Sequence, residues 1–272
     1  MLNRLLEAVL SSSKYRHVDK DFILSIGASE LHKRRNLKEA IKATRNKLHQ
    51  VGGAYQQAAP RYARWLDELR QAAWSGQEKQ SELVRAACTD IMRHHASTRE
   101  RLPVLERFYT TILSDIAPVH SVIDIACGLH PLAIPWMPLA PKALYYACDI
   151  YQDMIEFLND SLPYLGVQAE ARVCDVIHNC PTQQADVAFL LKAIPCLEQL
   201  DPLAGRRLLE TVRADYLVVS FPAASLGGKN KGMLTNYEDH FMEMVKNKPW
   251  SVERFIFPTE LVFLIKKQDL LL

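Results

Sequence analysis

The stretch Ser121-Val-Ile-Asp-Ile-Ala-Cys-Gly-Leu-His-Pro131 constrains the fold of this chain more than any other. Val122, Ile123 and Ile125 supply the β-branched run of a buried strand. Ala126, Cys127 and Gly128 are small enough for a ligand to lie against the backbone. Pro131 suits the first turn of a following helix. Two further strands follow at βαβ spacing: Ala143-Leu-Tyr-Tyr-Ala-Cys-Asp-Ile150, carrying Asp149, and Val167-Gln-Ala-Glu-Ala-Arg-Val-Cys-Asp175, ending in Asp175. Strand ends that carry Asp124, Asp149 and Asp175 in succession are the layout of a nucleoside-binding crevice at the carboxyl edge of a parallel sheet.

A ribose offers two vicinal hydroxyl donors, and Asp149 is placed to accept both. Asp175 can accept from an adenine amino group. No Gly-rich loop with a Lys of the P-loop kind occurs, so nothing cradles a polyphosphate. An adenosyl ligand without phosphates fits, which points to S-adenosylmethionine rather than NAD or ATP. The alternative is an ordinary doubly wound domain whose strand-end acids are solvated.

Charge is distributed unevenly. Residues 1–102 hold 19 Lys and Arg against 11 Asp and Glu, while the remainder holds 14 against 20. A basic first half suggests a polyanionic partner; the alternative is a solvated helical surface. The six cysteines, Cys88, Cys127, Cys148, Cys174, Cys180 and Cys196, include no Cys-x-x-Cys pair, so zinc is not expected. Several read as small apolar fillers of expected buried strands, which fits a reducing cytoplasm. Leu2, Leu5, Leu6, Val9 and Leu10 recur at helical spacing, interrupted by Arg4 and Glu7; this is an amphipathic helix and not a signal peptide. No apolar run is long enough to cross a membrane.

Residues 1–105 read as helical, with helices over 2–11, 19–33, 36–50, 60–74, 78–95 and 98–117 and breaks at Ser11-Ser12-Ser13, Gly52-Gly53 and Ser75-Gly76. From 121 the pattern becomes strand–helix alternation. Strands are expected at 121–126, 143–148, 169–174, 185–191, 215–221, 252–257 and 261–266, with helices at 151–162, 198–213 and 236–247. The last two strands are joined by Pro258-Thr259, which demands an antiparallel hairpin. The expected fold is therefore α/β: a class I S-adenosylmethionine-dependent methyltransferase, Rossmann-like, with a mostly parallel seven-stranded sheet and an N-terminal α-helical domain. The expected boundaries are 1–105 for the helical part and 106–272 for the methyltransferase part.

Five motifs occur in one order: Lys47-Leu-His-Gln50, His95-Ala-Ser-Thr-Arg-Glu-Arg101, Asp124-Ile-Ala-Cys-Gly128, Leu190-Leu-Lys-Ala-Ile-Pro195, and Val219-Ser-Phe-Pro222 followed by Gly228-Lys-Asn-Lys-Gly-Met233. Together they resemble the aminoglycoside-resistance 16S rRNA (guanine(1405)-N(7))-methyltransferases, over most of the chain. The resemblance implies methylation of a decoding-site guanine in an assembled small ribosomal subunit, by a cytoplasmic monomer that uses S-adenosylmethionine and confers aminoglycoside resistance. It implies that Arg101 meets the carboxylate of S-adenosylmethionine, Asp149 the ribose and Asp175 the adenine edge, with Asp124, Ala126, Gly128, Ile150 and Val176 completing the cofactor site. Lys192, Pro195 and Met233 would position the target, with no acid or base. Lys14, Arg16, Lys20, Lys47, Lys229 and Lys231 would contact RNA. Glu260 matches an acidic position near the start of the last strand. Three departures stand out: Ala126 where the family usually has Gly, His130 where it often has Asn, and Ala224 where several members carry Lys.

The chemistry favours the same target. Guanine N7 has a free lone pair and no proton at neutral pH, so attack on a sulfonium methyl needs alignment and no general base. The Asn-Pro-Pro-Tyr and Asp-Pro-Pro-Tyr motifs used on exocyclic amines are absent; Lys192-Ala-Ile-Pro195 stands there instead. Pro195-Cys196 raises a rival, the thiolate chemistry of cytosine-C5 methyltransferases, but no base or cationic partner for Cys196 is evident. His94-His95 has no companion ligands for a metal. The Gly-rich, cationic Ser225–Gly232 loop reads as a lid over RNA, or as a plain surface loop. Tyr109, Tyr151 and Tyr237 can stack on an extruded base, though core packing is the default for each. Two other functions remain open: methylation of a different RNA base, and non-catalytic RNA binding on the same fold.

Overall fold

A computed structural model of the chain describes residues 1–53, 55, 59–74, 80–223 and 232–267. Seven strands form one sheet: β1 (Val119–Ile125), β2 (Leu139–Asp149), β3 (Gln168–Val173), β4 (Gln184–Leu191), β5 (Arg213–Pro222), β6 (Trp250–Phe257) and β7 (Glu260–Lys267), in the order β3-β2-β1-β4-β5-β7-β6. The pairs β1–β2, β2–β3, β1–β4 and β4–β5 are parallel, and β7 pairs antiparallel with β5 and β6. The sheet is mixed: a five-stranded parallel run closed by the expected hairpin, in which Phe257 pairs with Glu260. The central strands are apolar throughout because both faces are covered; Val187, Ala188, Phe189, Leu217, Val218 and Val219 are wholly buried. The order reverses at β1, between β2 and β4, which opens a crevice at the carboxyl edge there.

Among the described residues, seven α-helices precede the sheet: α1 (Leu2–Leu10), α2 (Lys20–Lys33), α3 (Leu37–Leu48), α4 (Tyr62–Trp74), α5 (Gln80–Met92), α6 (Ala96–Arg101) and α7 (Leu105–Ile112). α2 starts where the Asp19 side chain accepts from the Phe22 N–H (2.8 Å), and α3 where Asn36 accepts from Glu39 (3.0 Å). A π-turn, His49–Gly53, extends α3. The helices lie against the carboxyl edge. Asp19 N–H donates to the Ile150 carbonyl and Gln152 N–H to the His17 carbonyl, each at 2.8 Å. From α4, Tyr62 stacks on Phe157 of α8 (Gln152–Ser161) at 5.0 Å. The apolar core runs without a break from Leu5 and Ile23 into the sheet. Among the described residues no helix is long and apolar enough to cross a membrane.

Three expected helices are interrupted by proline. The span 98–117 divides at Pro103 into α6, a 3₁₀ turn Leu102–Val104 and α7. The span 198–213 keeps only α10 (Ala204–Thr211), which starts after Pro202; the short α9 (Ile194–Leu197) lies ahead of the span. After Pro131 the chain makes a 3₁₀ segment, His130–Trp136, because Pro135 removes the N–H an α-helix would need. Helix α11 (Met233–Val245) and strand β2 begin earlier than expected.

The start of β1 is irregular: its register against β2 shifts between Val119 and Ser121. Asp186 of β4 repairs the gap, accepting from His120 N–H (2.6 Å), Ser121 N–H (3.2 Å) and Ser121 Oγ (3.1 Å). Asp186→Ala should therefore lower stability by roughly 1.5–3 kcal/mol, the scale for hydrogen bonds to a charged group. The urea midpoint should fall with an unchanged slope.

Candidate functional site

A cleft follows the carboxyl ends of the parallel strands. Asp124, Ala126 and Gly128 enter it from β1, Asp149 and Ile150 from β2, Asp175 and Val176 from the turn after β3, and Lys192 from the turn after β4. Its roof comes from the helical half: Phe22 of α2, Val51 and Gly52 of the π-turn, Tyr55, and His95 ahead of α6. Sequence reasoning missed these roof residues. Gly52 was legible only as a break, yet a Cβ there would meet the Tyr151 ring at 2.8 Å, so the turn closes on the cleft only as glycine.

The floor is a buried polar chain. Asp124 Oδ2 accepts from Tyr145 Oη (2.8 Å) and from His130 Nδ1 (2.7 Å), and His130 Nε2 meets Tyr109 Oη at 2.7 Å. His130 thus has a partner on each ring nitrogen. The turn above is strained: Ala126 has φ +52° and Gly128 φ +53°. The left-handed backbone at Ala126 costs roughly 1–2 kcal/mol that a glycine would not. Gly128 is required twice over, since a Cβ would lie 2.8 Å from His95 Cε1. The twist aims the Gly128 N–H at Asp149 Oδ2 (2.9 Å), while Ile150 N–H donates to Oδ1 (2.7 Å). Tyr151 N–H is a third backbone donor to this carboxylate, which still has acceptor capacity left for a ligand. Burial raises the Asp149 pKa against these bonds from Gly128 and Ile150. Asp175 is held likewise, Oδ1 by Ile177 N–H (3.0 Å) and Oδ2 by His178 Nδ1 (2.6 Å).

The donor set suits an adenosyl group. Two strand-end carboxylates have spare acceptor capacity, the β1 turn lacks any side chain at Gly128, and cationic groups that would grip phosphates are absent from the adenosine end of the lining. Two buried cleft-wall atoms, His95 Nδ1 and Tyr151 Oη, have no hydrogen-bond partner among the described residues.

Arg101 does not line the cleft, although the resemblance puts it at the cofactor's carboxylate. It is fully buried; Nη2 donates to Glu260 Oε2 (2.9 Å), and Nε lies 2.8 Å from Oε1 without hydrogen-bond alignment. Lys192 Nζ is 3.6 Å from the same Glu260 carboxylate and donates to Glu100 Oε2 at 2.6 Å. Two cations and two carboxylates balance here. Burial opposes ionisation of Glu260, but Arg101 and Lys192 outweigh it and hold its carboxyl below the ordinary value. Lys192 itself has φ +57°, a strained conformation fixed by its N–H on the Ser220 carbonyl (3.0 Å).

A second cavity adjoins the cleft and opens outward. Lys192, Tyr55 and Cys196 line both; Glu100, Pro195, Gln50, Gln199, Pro222, Met233 and Tyr237 line the second alone. The expected target-positioning residues Lys192, Pro195 and Met233 are thus brought together. Tyr237 lies on this wall stacked against Phe221 (5.1 Å), whereas Tyr109 is core. Cys196 Sγ is 3.0 Å from Tyr55 Oη, and burial raises its thiol pKa, unlike an activated nucleophile.

Of the expected RNA contacts, Lys14, Arg16 and Lys20 are exposed on the helical half. Lys47 is partly withdrawn, paired at 3.3 Å with the buried Glu30 carboxylate. Lys229, Lys231, Ala224 and most of the Ser225–Gly232 loop lie outside the described residues.

His95 supplies a pH test. Burial, then Arg101, Arg99 and Lys192, lower its pKa to about 4 from the ordinary 6.5. Between these values the unfolded chain binds the proton and the folded one does not, so stability rises with pH across that window and is complete above it. The slope should be at most about 1.4 kcal/mol per pH unit. His95→Asn should flatten it in urea unfolding at stepped pH.

Residues 11–264 match the family model described as ribosomal RNA methyltransferase (FmrO). A 16S rRNA (guanine(1405)-N(7))-methyltransferase of Micromonospora echinospora is 34% identical over 268 residues, 98% of this chain and 97% of that protein. One from Serratia marcescens is 31% identical, covering 98% of both. The crystal structure of the 16S rRNA methyltransferase RmtF with S-adenosyl-L-homocysteine superposes with a TM-score of 0.82 at 31% identity, covering 98% of each chain. The 16S rRNA methylase RmtB gives 0.78 at 27% identity, with 98% of this chain and 99% of that one covered. The chain belongs to the FmrO family of ribosomal RNA methyltransferases.

Proposed function

We propose that the protein transfers a methyl group from S-adenosylmethionine to N7 of guanine(1405) of 16S rRNA in the small ribosomal subunit, and so confers aminoglycoside resistance. The observation that carries this reading is the pair of joined cavities: a cleft lined by strand-end carboxylates with acceptor capacity, meeting a second cavity at Lys192. The cleft suits the cofactor and the second cavity an extruded base. The full-length relatives with this activity support it.

In this reading Asp149 holds the ribose hydroxyls and Asp175 the adenine amino group, while Ala126, Gly128, Ile150 and Val176 shape the walls. When bound, S-adenosylmethionine supplies an electrophilic methyl: the guanine N7 lone pair takes the carbon, the C–S electrons return to sulfur, and no proton moves. The protein therefore needs no base, and its contribution is orientation and exclusion of water. Arg101 acts through Glu260, holding the carboxylate that positions Lys192. Lys192, Pro195 and Met233 frame the base. The helical part, 1–105, docks on folded rRNA through phosphate contacts from Lys14, Arg16 and Lys20, with Lys229 and Lys231 as further RNA-contacting cations. The enzyme acts in the cytoplasm as a monomer.

Asp149→Ala should weaken S-adenosylmethionine binding by roughly 1.5–3 kcal/mol in calorimetry, while the fold is retained. Reversing Lys14, Arg16 and Lys20 together to Glu should leave that affinity unchanged, weaken subunit binding, and reduce its salt dependence by about one counterion for each lost phosphate contact. Wild-type enzyme incubated with small subunits and labelled cofactor should release 7-methylguanosine on nuclease digestion. Label in any other nucleoside would refute the assignment.

A further inference from the structure

Among the described residues, Glu100 is the one carboxylate that lines the second cavity and not the cleft. Its Oε2 accepts from Lys192 Nζ at 2.6 Å; no described hydrogen bond reaches Oε1, and its side chain keeps 29% of its exposure. Its backbone is held in place, the Glu100 carbonyl accepting from Thr259 Oγ1 at 3.0 Å. Glu260 lies 3.6 Å from Lys192 but is shared with Arg101, so Glu100 is the near counter-ion of the ammonium and still keeps Oε1 unengaged by any described hydrogen bond. The cavity therefore presents an ammonium donor and a carboxylate acceptor side by side.

Guanine presents the matching pair. Its O6 acceptor adjoins N7 on one side and the N1–H donor on the other. With N7 turned toward the cleft, O6 comes to the Lys192 ammonium at the junction of the cavities, and N1–H to the Glu100 carboxylate beyond it. Adenine carries an amino donor and a bare N1 acceptor in these places, so Lys192 would face a donor and Glu100 an acceptor. Resting on the N7 reading above, we propose that Glu100 and Lys192 select guanine by its O6 and N1–H edge, and that Glu100 also speeds transfer. Methylation at N7 moves the cofactor's positive charge onto the base, and N1–H becomes more acidic as it does. The bond to Glu100 is thus stronger in the transition state than in the bound substrate, the condition for raising turnover and not only binding.

The test uses small subunits reconstituted with guanine, inosine or 1-methylguanine at the target position, and single-turnover methylation by the full chain. Inosine keeps O6 and N1–H; 1-methylguanine lacks N1–H. Wild type should methylate inosine nearly as fast as guanine and 1-methylguanine roughly 10- to 100-fold more slowly, the scale for a lost hydrogen bond to a charged group. Glu100→Gln keeps an acceptor oxygen but loses the charge and should slow guanine by a similar factor; Glu100→Ala, which removes the acceptor, should also lose most of the preference over 1-methylguanine. The calorimetric affinity of each variant for S-adenosylhomocysteine should be unchanged, because Glu100 does not line the cleft. Equal wild-type rates on guanine and 1-methylguanine would overturn the proposal, as would full discrimination in Glu100→Ala. Should the variants fail to fold, the wild-type comparison of inosine with 1-methylguanine still decides. Wild type that forms no 7-methylguanosine on guanine subunits would instead defeat the N7 reading itself.

Discussion

The Glu260 carboxylate binds together three parts of the chain that are distant in sequence. It sits at the start of β7, takes the Arg101 guanidinium from the end of α6, and faces Lys192 from the turn after β4. All three side chains are almost wholly buried. A buried ion pair adds little net stability over an apolar one, but losing one partner leaves an unpaired charge and costs about 3–5 kcal/mol. The cluster therefore acts as a constraint. It fixes the hairpin to the helical layer and places the Lys192 ammonium where the two cavities meet. Arg101 further packs over the Phe108 ring at 4.9 Å, which seats the guanidinium from behind.

The rest of the site is arranged around that junction by backbone strain. Ala126, Gly128 and Lys192 all adopt left-handed conformations at the carboxyl edge. Their cost is borne by the well-packed sheet beneath, where the β1 and β4 residues are buried on both faces. The strained turns direct N–H groups at Asp149 and direct Lys192 away from its strand. What remains for chemistry is alignment, which suits an acceptor that already carries its lone pair.

The sheet was legible because its strands announce themselves by apolar runs that end in acid, at spacings only a βαβ crossover satisfies. The closing hairpin was legible from Pro258-Thr259. Helix ends were less so wherever proline fell inside an apolar period, as at Pro103 and Pro202, because periodicity continues across a break the backbone cannot. The strand-end carboxylates were found from position alone. The role of Arg101 behind the cleft wall was not, since an ion pair between residues 101 and 260 leaves no local pattern. Nor was the roof of Phe22, Val51 and Tyr55, which depends on how helices pack over the edge. Glu100 appeared only as one letter of a motif; its distinction lies in which cavity it faces.

The most direct test of the account is to locate the modification. Small subunits treated with the enzyme and S-adenosylmethionine, then with borohydride and aniline, are cleaved only where a 7-methylguanine stands. Reverse transcription should show one new stop, at the decoding-site guanine(1405), and none with enzyme lacking cofactor. A stop elsewhere, or incorporation of methyl groups into 16S rRNA that leaves the chain resistant to cleavage, would contradict it.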